Sequence, residues 1–188
     1  MLRSGRELWV ALGACVLIGA LYMAFTLHMR EIPPASELFG HGVGIIGFTM
    51  MLMTESLYSL RKRTRIARWG RMADWLQFHI FTGIVGPFMV LLHSSWKFNG
   101  LAGVVMMLTI VIVLSGFVGR YIFTRIPRSV DGLELTGGAV SEAQRAALAH
   151  ARRLMALWHT IHIPIGMALF AAAIAHILGA LYYATLLH

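Results

Sequence analysis

The sequence predicts an all-α integral membrane protein, a bundle of five transmembrane helices. Three observations carry that reading. Of 188 residues, 58% are hydrophobic and 13% charged, with a mean hydropathy of +0.72, whereas a soluble domain carries about 25% charged residues. The apolar residues gather into long blocks, each near the ~20 residues that a helix needs to cross a bilayer. Of the 16 basic residues, all but Arg120 fall outside those blocks, as membrane topology favours and as a soluble fold does not require.

The blocks cover residues 8–27, 41–60, 75–96, 101–123 and 157–187. Arg3 and Arg6 ahead of the first block imitate a signal peptide. The apolar run is longer than a signal core and no clear small-residue cleavage site follows, so it reads as a retained first span. Proline, glycine and polar residues break the chain between blocks, as in Ile32-Pro33-Pro34-Ala35-Ser36 and Lys97-Phe98-Asn99-Gly100. The last block exceeds a minimal span and is expected to tilt or project. Residues 124–156 form the one sizeable stretch outside the spans, on the cytoplasmic side. Within it, Ser141-Glu142-Ala143-Gln144 reads as a helix start, and Ala146, Ala147, Leu148 and Leu154 as an apolar face. A short helix lying on the inner membrane surface is the expectation there, with a docking platform for a cytoplasmic partner as the sharper alternative. The whole of 1–188 reads as a single transmembrane domain.

Charge sets the direction of the spans. With the N-terminus cytoplasmic, Arg3, Arg6, Arg61, Lys62, Arg63, Arg65, Arg68, Arg71, Arg120, Arg125, Arg128, Arg145, Arg152 and Arg153 all lie inside. Only Arg30 and Lys97 lie outside, a division of 14 against 2. The positive-inside rule then puts the C-terminus in the periplasm and makes spans three and five parallel, both running outward. The net charge of +8 is accounted for by topology, and a nucleic-acid partner is rejected. The single cysteine, Cys15, excludes an internal disulfide framework, a cysteine zinc site and a cysteine-held iron–sulfur cluster built from this chain alone. The absence of Cys-x-x-Cys-His excludes covalent haem.

Nine histidines in so apolar a chain need an explanation, because ionisable groups within a membrane are costly and usually functional. His79 and His93 stand 14 residues apart in span three, and His162 and His176 stand 14 apart in span five. Fourteen helical steps return a side chain to nearly the same face after about 21 Å of rise. With the two spans parallel, His79 falls level with His162, and His93 with His176. Two facing imidazoles at one depth are what a six-coordinate haem iron takes from a helical bundle. Gly83 and Gly166 each lie four residues after a ligand candidate, in the shared pattern His-Ile-x-x-Gly. Small residues there give a flat macrocycle access to the helix backbone, although glycine also serves plain helix packing.

The paired His-x13-His pattern resembles the di-haem cytochrome b arrangement of respiratory quinol-oxidising complexes. It is also similar to the transmembrane cores of ferric reductases. Leu76-Gln77-Phe78-His79-Ile80 and His93-Ser94-Ser95-Trp96 look like a small bacterial cytochrome b-like family with five spans. The likeness covers mainly spans three to five, about half the chain. It implies two non-covalent b haems with His79, His93, His162 and His176 as axial ligands. The nucleotide- and flavin-binding domains of ferric reductases and the long quinol-site loops of full-length cytochrome b have no counterpart here.

The expected function is an electron relay across the bacterial inner membrane, as a subunit of a respiratory-type oxidoreductase complex. His79 and His162 would serve the inner haem, and His93 and His176 the outer one. The expected partners are membrane lipid, a periplasmic multihaem cytochrome or iron–sulfur subunit, and a quinone as a further candidate. The rivals are a quinol-oxidising anchor subunit, a haem or metal transporter that uses the histidines transiently, and a structural anchor without cofactor. Arg71, Arg120, Arg152 and Arg153 sit near the inner boundary, where a haem propionate would want a cation, and where ordinary membrane anchoring places arginine anyway. His159 is the competitor of His162, but its 17-residue distance from His176 puts it about a quarter turn out of phase. His28 and His41, at span ends, read as interfacial hydrogen-bonding groups, and His150 and His188 as solvated. Glu55 is an acid inside span two, expected to pair with an arginine or to handle protons beside a quinone. Pro87 and Pro164 are expected to kink their helices. Trp75, Trp96 and Trp158 are read as interfacial belt.

Overall fold

The computed structural model describes residues 5–63, 72–124 and 142–186. They form five helices: α1 (Arg6–Met29), α2 (Leu38–Arg63), α3 (Met72–His93), α4 (Gly100–Thr124) and α5 (Glu142–Leu186). Each contains a stretch long and apolar enough to cross a membrane, and the described residues include no strand. The chain is a multi-pass all-α membrane protein. Its large outward side chains agree: Trp9, Val16, Leu17 and Leu21 on α1 and Leu114, Phe117 and Val118 on α4 are exposed. In a bilayer the backbone must bond within its own segment, and only the side chains meet lipid.

The first four helices coincide with the predicted spans to within a few residues. The fifth corrects the prediction. Residues 142–156 do not form a separate helix on the membrane surface. They are the first third of α5, a continuous helix of 45 residues, about 67 Å long at the helical rise against a hydrocarbon core of ~30 Å. Two physical causes explain the difference. The run Ala143–Ala151 contains strong helix formers, so nothing stops the helix where the hydropathy falls. Of the expected apolar face only Leu148 is buried, beside Ala151, with Phe123 of α4 and Met155 packed against them, while Ala146, Ala147 and Leu154 are exposed. The helix begins at Glu142, as the sequence indicates, while Ser141 and residues 125–140 lie outside the described residues. Helices α3 and α5 both run on through their prolines, Pro87 and Pro164.

The chain divides at Leu108, within α4, into two compact units. In the first, α3 packs against both α1 and α2. Ala11 of α1 meets Val85 and Met89 of α3, with Ala14, Cys15, Ile18, Val43, Met50, Phe81 and Ile84 around them. The α2–α3 contact is the tighter one. A Cβ on Gly47 would lie 2.9 Å from the carbonyl oxygen of Gly86, and one on Gly86 would lie 2.9 Å from that of Gly47. Backbone approach of this kind is open only to glycine, and it fixes the register of the two helices. In the second unit, α4 and α5 run antiparallel, with Ser115 opposite His162 and Phe123 opposite Ala151.

Candidate functional site

The histidines of α3 share one arrangement. His79 places Nδ1 2.9 Å from the carbonyl oxygen of Thr54, and His93 places Nδ1 2.9 Å from that of Gly40. A carbonyl oxygen can only accept, so both Nδ1 atoms carry the proton and donate it. In the neutral ring, Nε2 is then the nitrogen with the lone pair. Both acceptors belong to α2, and they too are 14 residues apart. The 14-step spacing of the histidines along α3 is answered by the same spacing of carbonyls along the antiparallel α2.

Local sequence makes each contact possible. At the His93 level the ring lies over Gly44, where a Cβ would come within 2.8 Å of Cγ and Nδ1. The carbonyl of Gly40 points along the helix toward residue 44, so the missing side chain opens the way to it. His41 stands beside this ring with centroids 6.4 Å apart, its own Nδ1 3.1 Å from the carbonyl of Glu37. Beyond it, the buried hydroxyl of Ser95 donates to the carbonyl of Pro33 at 2.6 Å, tying the turn after His93 to the loop between α1 and α2. Ser95 and Trp96 both have left-handed backbone conformations there, with φ of 48° and 63°.

At the His79 level a pair of threonines lines the contact. Thr82 donates to the carbonyl of Phe78 at 2.9 Å, and the Thr54 hydroxyl lies 2.7 Å from Thr82 Oγ1 and 2.8 Å from the carbonyl of Met50. The Glu55 side chain, next in sequence to Thr54, is exposed. Gly83 is seated against α2, with the methyl of Thr54 3.4 Å from where its Cβ would be.

The α5 histidines sit in the second unit. His162 places Nδ1 3.0 Å from Ser115 Oγ, and the indole of Trp158 stacks on its ring with centroids 4.4 Å apart and planes 29° apart. His159, the competing candidate, is tilted against the same indole at 4.8 Å. Gly166 is buried, with Ile112 3.9 Å from its Cβ position. His176 is half-buried on α5, and Arg152 is exposed near the start of that helix. Arg71 and His188 lie outside the described residues. His28 and His150 are exposed.

Sequence reading named the histidines but missed what holds them. The α2 carbonyls leave no mark in a sequence, because every residue has one. Gly44 and Gly47 did leave a signal in the small-residue series Gly40, Gly44, Gly47, the pattern of a close helix crossing. Trp158 was read as interfacial belt, and the structure turns it inward: Nε1 donates to Ser115, 2.7 Å from its carbonyl oxygen and 3.1 Å from Oγ.

Chemically, an imidazole whose Nδ1 proton is held by a backbone carbonyl is a prepared ligand. The bond fixes ring rotation and tautomer, raises the basicity of Nε2, and is the usual partner of a metal-bound histidine. Among the described residues no three His, Cys, Asp or Glu side chains converge on one point. A haem iron takes two protein ligands at most, so a site for it would not register as such a cluster. No family model, curated protein or solved structure matches the chain.

Proposed function

We propose that the chain is a di-haem b-type cytochrome that passes electrons across a membrane as one subunit of an oxidoreductase complex. The observation that supports it best is the repeated hydrogen bond on α3. His79 and His93, spaced 14 apart, each donate Nδ1–H to an α2 carbonyl at 2.9 Å. Such bonds also tie α3 to α2, as polar side chains commonly do between membrane helices. They suit two ligands at two depths because each leaves a basic Nε2 in a fixed orientation.

This reading takes its pairing from the 14-residue spacings and the direction of the spans in the sequence. His79 and His162 would hold the haem nearer the cytoplasm, and His93 and His176 the one nearer the periplasm. Each haem supplies a reversible one-electron couple. The protein's share is to fix the imidazoles, exclude water and keep each iron saturated, so that electrons pass without bond-making chemistry at the metal. Gly83 and Gly166 line the helices beside the ligands, and Arg71 and Arg152 are the cations proposed to face propionates. The membrane is a bacterial inner membrane, with the N-terminus cytoplasmic and the C-terminus periplasmic on the 14-to-2 division of basic residues. A periplasmic multihaem cytochrome or iron–sulfur subunit would exchange electrons at the outer haem, and a quinone is the further partner class.

The deciding measurement is haem quantitation on the purified full-length chain by pyridine haemochrome, with a reduced-minus-oxidised spectrum. Two non-covalent b haems per chain are expected. One haem or none in folded protein would overturn the assignment.

A further inference from the structure

His162 differs from the histidines of α3 in one respect. Their acceptors are helix carbonyls, fixed by the backbone itself. The partner of His162 is the hydroxyl of Ser115 at 3.0 Å, a group that turns freely about its Cα–Cβ bond unless something holds it. Something does. Trp158 Nε1–H lies 2.7 Å from the Ser115 carbonyl oxygen and 3.1 Å from Oγ, so one indole proton is shared between both oxygens of the same serine.

The geometry follows from two four-residue steps. Trp158 and His162 occupy i and i+4 on α5, and Ser115 and Gly119 occupy i and i+4 on α4. Residues four apart share one helix face, and the antiparallel pairing of the helices sets Ser115 against His162 and Gly119 against Trp158. Gly119 is buried, and a Cβ on it would run into the indole, so glycine at 119 makes the slot in which Trp158 lies. The indole also covers one face of the imidazole in a close stacked contact, with centroids 4.4 Å apart.

We infer that Trp158 is a positioning residue for His162: seated in the Gly119 slot, it holds Ser115 by its indole N–H and the His162 ring by stacking. The inference extends the di-haem reading, since it gives His162 the fixed orientation that an axial ligand needs, but the geometry stands without any cofactor.

The test uses the full-length chain in detergent, labelled with 15N-histidine, with the variants Trp158→Leu and Gly119→Ala. In haem-free protein, the ring-nitrogen signal that disappears in His162→Ala should shift in both variants, while the signals of His79 and His93 stay in place. In haem-loaded protein, the low-spin EPR signal and midpoint potential of one haem should change and those of the other should not. An unmoved His162 signal in folded Gly119→Ala protein overturns the inference, whatever the haem content. Equal change at all three histidines also overturns it, by showing Trp158 to be a general packing residue. A shifted His162 signal in a protein that takes up no haem would uphold the positioning role and refute the di-haem reading instead.

Discussion

His93 donates to the carbonyl of Gly40 at 2.9 Å across a stretch of α2 from which the side chain is missing. The same bond recurs fourteen residues away between His79 and Thr54, at the same distance. What joins the two is the α2–α3 register, locked by the Gly47–Gly86 approach between them. A one-residue slip would move both histidines off their carbonyls at once. The two ligand candidates of α3 are in this sense a single construction, although they would serve different haems.

Gly44 is the most exposed point of that construction to mutation. In Gly44→Ala the new methyl would stand 2.8 Å from the His93 ring, which must then turn away from Gly40. The partners of metal-bound histidines are typically worth about 10–100-fold in affinity. The expected outcome is a loss of that order at one haem only, read by haem titration, with the haem served by His79 retained. Loss of both haems, or of neither, would contradict the separate placement of His93.

Thr54 gives the contrasting case. His79 bonds to its carbonyl, not its hydroxyl, so Thr54→Val should keep both haems and their spectra. The hydroxyl contact with Thr82 disappears, while Thr82 keeps the Phe78 carbonyl. The contact with the Met50 carbonyl goes too, and since the hydroxyl has one proton to donate, a cost of about 1 kcal/mol in stability is expected, measured by thermal unfolding in detergent. A Thr54→Val protein that lost a haem would mean that the side chain, and not the backbone, holds His79.

Much of the fold is legible in the sequence. Hydropathy located the spans because lipid leaves a helix little choice of composition, and the 14-residue spacing located the ligand candidates because a helix repeats its faces. Two things were not legible. The junction between residues 142–156 and span five was hidden by Arg145, Arg152 and Arg153, which mark where a membrane would end but not where a helix does. Trp158 was misread because a tryptophan at a span boundary has the same composition signal whether it faces lipid or a neighbouring serine. Only the antiparallel meeting of α4 and α5 separates those cases.

The direction of the spans can be tested independently of haem. With 14 basic residues assigned inside and 2 outside, reporter fusions at Arg65 and Ser141 should be cytoplasmic, and one after His188 periplasmic. A cytoplasmic reporter after His188 would make spans three and five antiparallel. His79 would then no longer be level with His162, and the ligand pairing would have to be redrawn.

The last prediction concerns chemistry. If four histidines fill both axial positions of two irons, neither iron has a place for substrate, and the chain alone should turn nothing over. Carbon monoxide offers a direct probe, since it needs an open position on ferrous haem. The reduced protein at full occupancy should leave it unbound, and in the oxidised protein both haems should be low-spin by EPR. The Gly-x-Gly-x-x-Gly run of the sequence, Gly42 to Gly47, lies inside the apolar helix α2 and not at a strand–helix turn, so NADH should not reduce the isolated chain. Removing one ligand sharpens the test. His176→Gly leaves the other three histidines in place, and the outer iron should then accept carbon monoxide while the inner one does not. The His93 ring, still bonded to Gly40, would keep that haem bound on one side. Carbon monoxide binding by the unaltered protein, or sustained quinol oxidation by the isolated chain, would refute the relay and put the chemistry within this subunit.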